Sequence, residues 1–197
     1  MAKQQVKLKK KNPNLNLPNI LALLRILLAP LMLWFMINRE NSLFIGWDPS
    51  WLDYFAGLIF VIASVTDFFD GFIARNWNQM TKLGSILDPL ADKMLVLAGF
   101  IGLIVLDRAS AFAIFLILSR EFFITGLRVV AVSEGKDVSS TMAGKVKTVV
   151  QMIAIGFLLM NWSYGEELLW FAVILTMYSG YEYVRDYFKE PLANSNK

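Results

Sequence analysis

The stretch that decides the fold is DFFDGFIARNWNQMTKLGSILDPLADK, residues 67–93. It holds two pairs of aspartates at helical spacing. Asp67 and Asp70 are three residues apart, and Asp88 and Asp92 are four apart. Residues at these separations lie next to each other on a helix, so each pair is predicted to share one helical face.

The length of the apolar segment that follows the aspartates predicts where they lie in the membrane. The apolar run that follows them, residues 94–106, has 13 residues, whereas a membrane-spanning helix takes about 20. That helix must therefore begin near residue 85, which places Asp88 and Asp92 in its first turns. The preceding helix ends near Arg75 on the same side. Two antiparallel helices joined by a short loop are thus predicted to bring four carboxylates to one membrane surface.

The remainder of the chain is as apolar as this interpretation requires. Hydrophobic residues make up 56% of the 197 residues and charged residues 18%, against roughly 45–50% and about 25% in soluble domains. We predict an all-α integral membrane protein with six transmembrane helices, over residues 19–37, 51–74, 85–106, 111–132, 144–161 and 168–187. We expect residues 1–18 to form a basic cytoplasmic or interfacial segment, residues 19–187 the six-helix transmembrane domain, and residues 188–197 a cytoplasmic tail.

Positive charge predicts the orientation. The segments assigned to the inner side hold fourteen Lys and Arg residues, and the outer loops hold two, Arg39 and Arg108. Because cytoplasmic loops are rich in Lys and Arg, both termini and the aspartates are predicted to face the cytoplasm. We therefore expect a multi-pass protein of the cytoplasmic membrane. A nucleic-acid-binding arm is the alternative for the lysines of residues 3–11, but a membrane span follows them directly, so we expect no nucleic-acid partner.

Three arginines remain inside the predicted spans: Arg25, Arg120 and Arg128. A charge at membrane depth costs at least about 2.5–3.5 kcal/mol, so together they indicate a polar cavity. Arg25 and Arg128 could instead extend to the nearby interface. Arg120, near mid-helix, faces a ligand or forms a structural ion pair. Glu121 projects about 100° away from it, so the two are not expected to be partners.

The residue types limit the chemistry. The chain has no Cys and no His, which excludes disulfides, thiolate or imidazole metal sites, Cys nucleophiles and imidazole bases. Four clustered carboxylates repel one another unless cations neutralise them. Oxygen ligands favour Mg²⁺ or Mn²⁺, and four aspartates suffice for two ions. The alternatives are interfacial acids paired with nearby basic residues, or a cation-transport site.

The aspartate stretch resembles the signature of the CDP-alcohol phosphotransferases: Asp67-x-x-Asp70-Gly71-x-x-Ala74-Arg75, eight residues, then Gly84-x-x-x-Asp88-x-x-x-Asp92. The resemblance implies a six-helix membrane enzyme, usually a homodimer, with two divalent ions held by Asp67, Asp70, Asp88 and Asp92. It implies further that Asp92 is the base that deprotonates the acceptor alcohol. The implied contacts to the CDP group are Gly71, Arg75 and Thr81.

Motifs outside the aspartate stretch resemble the phosphatidylglycerophosphate synthases of that family. They are Asn16-Leu17-Pro18-Asn19 followed by Arg25, Arg120-Glu121-Phe122 with Gly126-Leu127-Arg128, and Gly144-Lys145-x-Lys147-Thr148-x-x-Gln151. One departure is Ala22, where that opening often has Thr or Ser. This resemblance implies transfer of a phosphatidyl group from CDP-diacylglycerol to sn-glycerol 3-phosphate.

The basic residues fit such an anionic acceptor on physical grounds. Arg128, Lys145 and Lys147 are predicted to lie near the cytoplasmic ends of the fourth and fifth helices, and Arg120 about 12 Å deeper on the fourth. All four are predicted to bind the acceptor phosphate. Some of them could instead be ordinary positive residues of the inner surface. Three alternatives stay open for the whole protein: a sister enzyme that uses inositol phosphate or serine, a divalent-cation transporter, and a purely structural membrane protein.

Overall fold

The computed structural model describes the backbone of residues 17–76, 84–136 and 142–189, and their side chains except at 18, 68–76 and 85. These described residues form six α-helices and no strand. A short 3₁₀ helix, Ser42–Phe44, lies between the first two. The helices are α1 (Leu17–Ile37), α2 (Pro49–Asn76), α3 (Gly84–Val105), α4 (Ala111–Ser133), α5 (Met142–Leu159) and α6 (Gly165–Lys189).

The six predicted spans correspond one to one with these helices. The largest difference at any end is three residues, at the start of α6, where the sequence predicts residue 168 and the helix begins at Gly165. Within the described residues, α1, α2 and α5 are long and apolar enough to cross a membrane. The helices α3, α4 and α6 have 22, 23 and 25 residues, and each carries at least three charged residues. The predicted class, an all-α membrane protein with six helices, is confirmed.

The helices bury many small residues and leave many large apolar ones exposed. Ala22, Ala63 and Ala154 are fully buried, whereas Leu27 and Val132 are about 70% exposed (69% and 70%). This distribution is expected in lipid, where no hydrophobic force drives large apolar side chains inward and small residues let helices approach closely.

The helices pack in two groups that meet along α5. Helix α1 packs against α2 and α3, and α6 packs against α4 and α5. Contacts of α5 with α2 and α3 join the groups. The approach is close at Gly99 of α3, where a Cβ atom would lie 3.3 Å from Ile155 of α5. The resulting core contains Met32, Phe100 and Leu103.

A polar network holds the helices at the end opposite the aspartates. Asp53 of α2 accepts hydrogen bonds from Arg39, after α1, and from Arg108, between α3 and α4; the Arg108 distance is 2.7 Å. Arg108 also donates to the backbone carbonyl of Leu159 in α5, at 3.0 Å. The two arginines predicted to lie in outer loops thus share a carboxylate, Asp53, that sequence analysis did not single out.

Candidate active site

One buried arginine interacts with three of the four predicted aspartates. Asp67 of α2 accepts a hydrogen bond from Nη1 of Arg25 in α1. Asp88 and Asp92, both on α3, interact electrostatically with Asp67 and with Arg25. Because α2 and α3 are adjacent, the spacing of the acids along each helix brings them to one region. The predicted convergence is therefore present for the three acids whose side chains are described.

Arg25 does not extend to the membrane interface. Its side chain is 0% exposed, and the alternative in which it reaches the interface is wrong. The reason is packing. Asn19, Ala22 and Ala29 are buried on the same side of α1 as Arg25, where that helix contacts α2 and α3. Arg25 consequently lies inside the bundle, and Asp67 supplies its counter-charge.

The donor chemistry at this cluster fits a divalent cation. Oδ1 of Asp88 and Oδ1 of Asp92 are buried and have no hydrogen-bond partner among the described residues. A buried carboxylate oxygen without a partner costs free energy, which a bound cation would offset. Oxygen ligands suit Mg²⁺ or Mn²⁺.

The predicted metal site is only partly within the described residues. Among the side chains that are described, no three Asp or Glu residues come close enough together to hold a metal ion. Asp70, the fourth predicted ligand, has no described side chain. The same holds for the predicted CDP contacts Gly71 and Arg75, and Thr81 lies wholly outside the described residues. These assignments stay predictions.

A second charged cluster lies beside the first, at α4 and α5. Nζ of Lys147 donates a hydrogen bond to Oε1 of Glu121, and Nη1 of Arg120 lies 3.4 Å from the same oxygen. The expectation that Arg120 and Glu121 are not partners is wrong. The long guanidinium side chain covers the angle of about 100° that separates neighbouring residues on a helix. Glu121 thus partly neutralises two predicted phosphate ligands.

A cavity of about 330 Å³ connects the two clusters. It lies among α3, α4 and α5, and its polar wall includes Asp92, Glu121 and Lys147, with apolar residues such as Leu118 around them. Asp92 and Lys147 interact electrostatically. The size is at the lower end of the range for small-molecule sites, about 300–1,000 Å³. The predicted base and a predicted phosphate ligand therefore line the same cavity.

Arg120 and Arg128 lie between α4 and α6. Nη2 of Arg120 donates to Oγ of Ser179 at 2.8 Å. The guanidinium of Arg128 lies over the ring of Tyr183, 5.6 Å from its centroid. Arg120 interacts electrostatically with Arg128 and with Lys147. Three of the four predicted phosphate ligands therefore lie in one basic region.

Lys145 is placed differently. It is exposed, and its position two residues before Lys147 puts it about 200° around α5 from that residue. Within the described part of the chain, no contact joins Lys145 to the cavity. Its assignment to the acceptor site stays a prediction.

Sequence analysis missed the contribution of α6. Thr176, Ser179, Tyr183 and Tyr187 are buried, and their spacing of three or four residues puts them on one face of the helix. A polar stripe of this period in an apolar segment is a detectable signal that one face of a span contacts polar groups. Glu121 was named in the sequence, but its pairing with Lys147 depends on how α4 and α5 each pack against α6.

Comparisons with known proteins agree with the geometry. The family model described as CDP-alcohol phosphatidyltransferase matches residues 15–178. A protein of Bacillus subtilis named CDP-diacylglycerol–glycerol-3-phosphate 3-phosphatidyltransferase is 41% identical over 179 residues, which cover 85% of this chain and 93% of that protein.

Proteins with the same name from other bacteria are similarly related. The one from Rickettsia felis is 37% identical over 86% of this chain and 94% of its own length. The one from Shigella flexneri is 36% identical over 86% of this chain and 93% of its own length. The family predicted from the aspartate signature is thereby confirmed, and the chain belongs to the CDP-alcohol phosphatidyltransferase family.

Proposed function

We propose that this protein transfers the phosphatidyl group of CDP-diacylglycerol to sn-glycerol 3-phosphate, giving phosphatidylglycerophosphate and CMP. The observation that carries the proposal is the cavity of about 330 Å³ lined by Asp92 and Lys147. It places a carboxylate that can accept a proton beside a cation that can bind phosphate. The names of relatives that are 36–41% identical over most of the chain support the choice of substrates.

The proposed reaction assigns the base to Asp92. Its carboxylate removes the proton of the 1-hydroxyl of glycerol 3-phosphate, and that oxygen attacks the phosphorus that carries the lipid. The new P–O bond forms as the bond to CMP breaks, and the electron pair of that bond leaves with CMP. The tails of the donor stay in the bilayer, beside the exposed apolar faces of the helices.

Divalent ions complete the proposed site. Asp67, Asp70, Asp88 and Asp92 would hold two Mg²⁺ or Mn²⁺ ions, and Gly71, Arg75 and Thr81 would contact the CDP group. When bound, such ions act as Lewis acids that stabilise negative charge on the attacking and leaving oxygens. The buried Asp88 and Asp92 oxygens that lack hydrogen-bond partners in the described structure support this assignment.

The acceptor is held by the basic cluster in this proposal. Arg120, Arg128 and Lys147 bind its phosphate, with Lys145 as the further predicted ligand. Arg25 stays within the protein as the partner of Asp67. Both substrates are anionic, so much of the catalytic effect is charge neutralisation and alignment.

We infer the orientation of the protein in the membrane from the distribution of its Lys and Arg residues. We place residues 1–18, the aspartates and residues 188–197 on the cytoplasmic side of the cytoplasmic membrane, and residues 19–187 in the catalytic domain. We further propose a homodimer, as the family resemblance implies. Protease accessibility, or labelling of single cysteines introduced into the Cys-free chain, in right-side-out and inverted vesicles would test the orientation. Cross-linking in membranes would test the dimer.

The decisive experiment is release of CMP from CDP-diacylglycerol by the purified protein. We expect release with glycerol 3-phosphate and either metal, and none with chelator. Inositol phosphate and serine are offered as competing acceptors in parallel reactions. Release with only one of those would overturn the proposed acceptor. Metal flux into vesicles without release of CMP would favour a cation transporter instead.

A further inference from the structure

Helix α6 presents a buried polar face to the basic cluster. Thr176 and Ser179 are 0% exposed and Tyr183 is 3% exposed. Their spacing places them on one side of the helix, and α6 packs against α4 and α5 on that side. None of these residues has a role in the reaction proposed above.

Ser179 and Gly180 fix the position of Arg120. Oγ of Ser179 accepts a hydrogen bond from Nη2 of Arg120 at 2.8 Å, and donates its own hydrogen to the carbonyl of Thr176 at 3.3 Å. That second bond directs a lone pair of the hydroxyl toward the guanidinium. At Gly180, a Cβ atom would lie 3.1 Å from both Cγ and Nε of Arg120. The arginine therefore packs directly on the α6 backbone.

Tyr183 holds Arg128 in place through its aromatic ring. The guanidinium lies over the aromatic ring at 5.6 Å, within the range of about 6 Å for a cation–π contact. The hydroxyl of Tyr183 is buried and has no hydrogen-bond partner among the described residues. The contact with Arg128 is thus made by the ring.

We infer that α6 positions the two arginines for the phosphate of the acceptor, with Ser179 and Tyr183 as positioning residues. This inference rests on the proposed function, in which Arg120 and Arg128 bind that phosphate. The two cations interact electrostatically, so they repel, and free arginine side chains have many rotamers. Contacts that hold both before the acceptor arrives reduce the entropy lost on binding.

The experiment measures steady-state CMP release, varying glycerol 3-phosphate and CDP-diacylglycerol in turn. Ser179→Ala should raise the KM for glycerol 3-phosphate about 10-fold, the cost of a hydrogen bond to a charged group. Tyr183→Leu should raise it about 3-fold to 5-fold, the effect of one cation–π contact. The KM for CDP-diacylglycerol and the kcat should stay within about twofold of wild type, which a general loss of structure would not produce.

Matched variants separate positioning from stability. Tyr183→Phe keeps the ring and should retain the wild-type KM values. Gly180→Ala displaces Arg120 and leaves the Ser179 side chain unchanged. It should also raise the KM for glycerol 3-phosphate, so it tests the inference even where Ser179→Ala does not fold. Ser64→Ala and Tyr178→Leu serve as controls. The Ser64 hydroxyl has no hydrogen-bond partner among the described residues, and Tyr178 is 58% exposed. Both should behave as wild type.

Unchanged KM values in folded Ser179→Ala and Tyr183→Leu proteins would overturn the inference. Parallel increases in the KM values of both substrates would do the same, as would a Tyr183→Phe protein as defective as Tyr183→Leu. Failure of the proposed function would look different. Wild-type protein would then release CMP only with another phosphorylated acceptor, such as inositol phosphate. The same selective KM increase for that acceptor would still support the role of α6.

Discussion

Arg25 of α1 and Asp67 of α2 form an ion pair in which the arginine is completely buried and the aspartate side chain is 34% exposed. Asp67 also interacts with Asp88 and Asp92. The arginine therefore belongs to the carboxylate cluster and reduces its net negative charge. Its burial indicates that α1 is part of the candidate active site as well as a membrane anchor.

Removal of Arg25 should destabilise the protein. Arg25→Met leaves Asp67 without its counter-charge beside two further carboxylates, and breaking a buried pair costs about 3–5 kcal/mol. The partial exposure of Asp67 favours the lower end of that range. Thermal unfolding in detergent measures the loss. Arg185→Met, which breaks an exposed pair with Asp186, is the control and should cost less than about 1 kcal/mol. Equal losses in the two variants would contradict the structural role of Arg25.

Asp92→Asn should abolish turnover, because the amide cannot accept the proton of the acceptor hydroxyl. The substitution preserves shape, so nucleotide binding should remain in part. CMP release and the binding of CDP measure the two effects separately. Asp186→Asn, on the exposed end of α6, is the matched control and should retain activity. Near-wild-type turnover in folded Asp92→Asn protein would rule out Asp92 as the base.

Lys147 and Lys145 should differ in their effect on the acceptor. Lys147 is 6% exposed and lines the cavity, whereas Lys145 is exposed on another side of α5. Lys147→Met should raise the KM for glycerol 3-phosphate about 10-fold or more, since hydrogen bonds to charged groups are worth about 1.5–3 kcal/mol. Lys145→Met should raise it by a smaller factor, about threefold, because contacts of an exposed charge are worth about 1 kcal/mol or less. A larger effect at Lys145 would place the acceptor outside the cavity.

The Asp53 network should contribute stability without affecting catalysis. Asp53→Ala leaves two arginines, Arg39 and Arg108, without their shared carboxylate, and we expect a loss of about 3 kcal/mol. Asp53 lies about 21 Å along α2 from Asp67, fourteen residues at 1.5 Å each, so the KM values of the folded protein should not change. Asp48→Asn, at an exposed helix start, is the control for unfolding. A change in either KM would show that the two ends of the bundle are coupled.

Apolar segments predicted the helices because in lipid the length of an apolar run alone determines where a span lies. The aspartate spacing predicted convergence because α2 and α3 are consecutive and antiparallel. Pairings between distant helices could not be predicted this way. The sequence predicts Lys147 near a helix end, but its contact with Glu121 depends on how α4 and α5 each pack against α6. Likewise, the burial of Arg25 depends on the contacts of α1 with α2 and α3.

A further ion-pair cluster, at the cytoplasmic end of α4 as we orient the protein, predicts a dependence of stability on pH. Glu134 accepts a hydrogen bond from the hydroxyl of Tyr187 at 2.8 Å and lies 3.1 Å from Nζ of Lys136. The bond from Tyr187, followed by that from Lys136, lowers the pKa of Glu134 below its ordinary value of 4.5. The folded state therefore binds this proton less readily than the unfolded state.

The direction of the pH dependence follows from this difference in the pKa of Glu134 between the folded and unfolded states. The contribution of Glu134 is fully present above pH 4.5, the unfolded value, and is lost as the pH falls from there through the lower pKa of the folded state. Glu134→Gln should lower the thermal midpoint at pH 7. The difference between the midpoints of wild type and variant should become smaller as the pH falls toward 4. Tyr187→Phe should also lower the midpoint at pH 7, because it removes the largest contribution to the shift. Exposed Glu166, replaced by Gln, is the control. A gap that stays constant from pH 7 to pH 4 would mean that Glu134 does not link α6 to the end of α4 as a charged group.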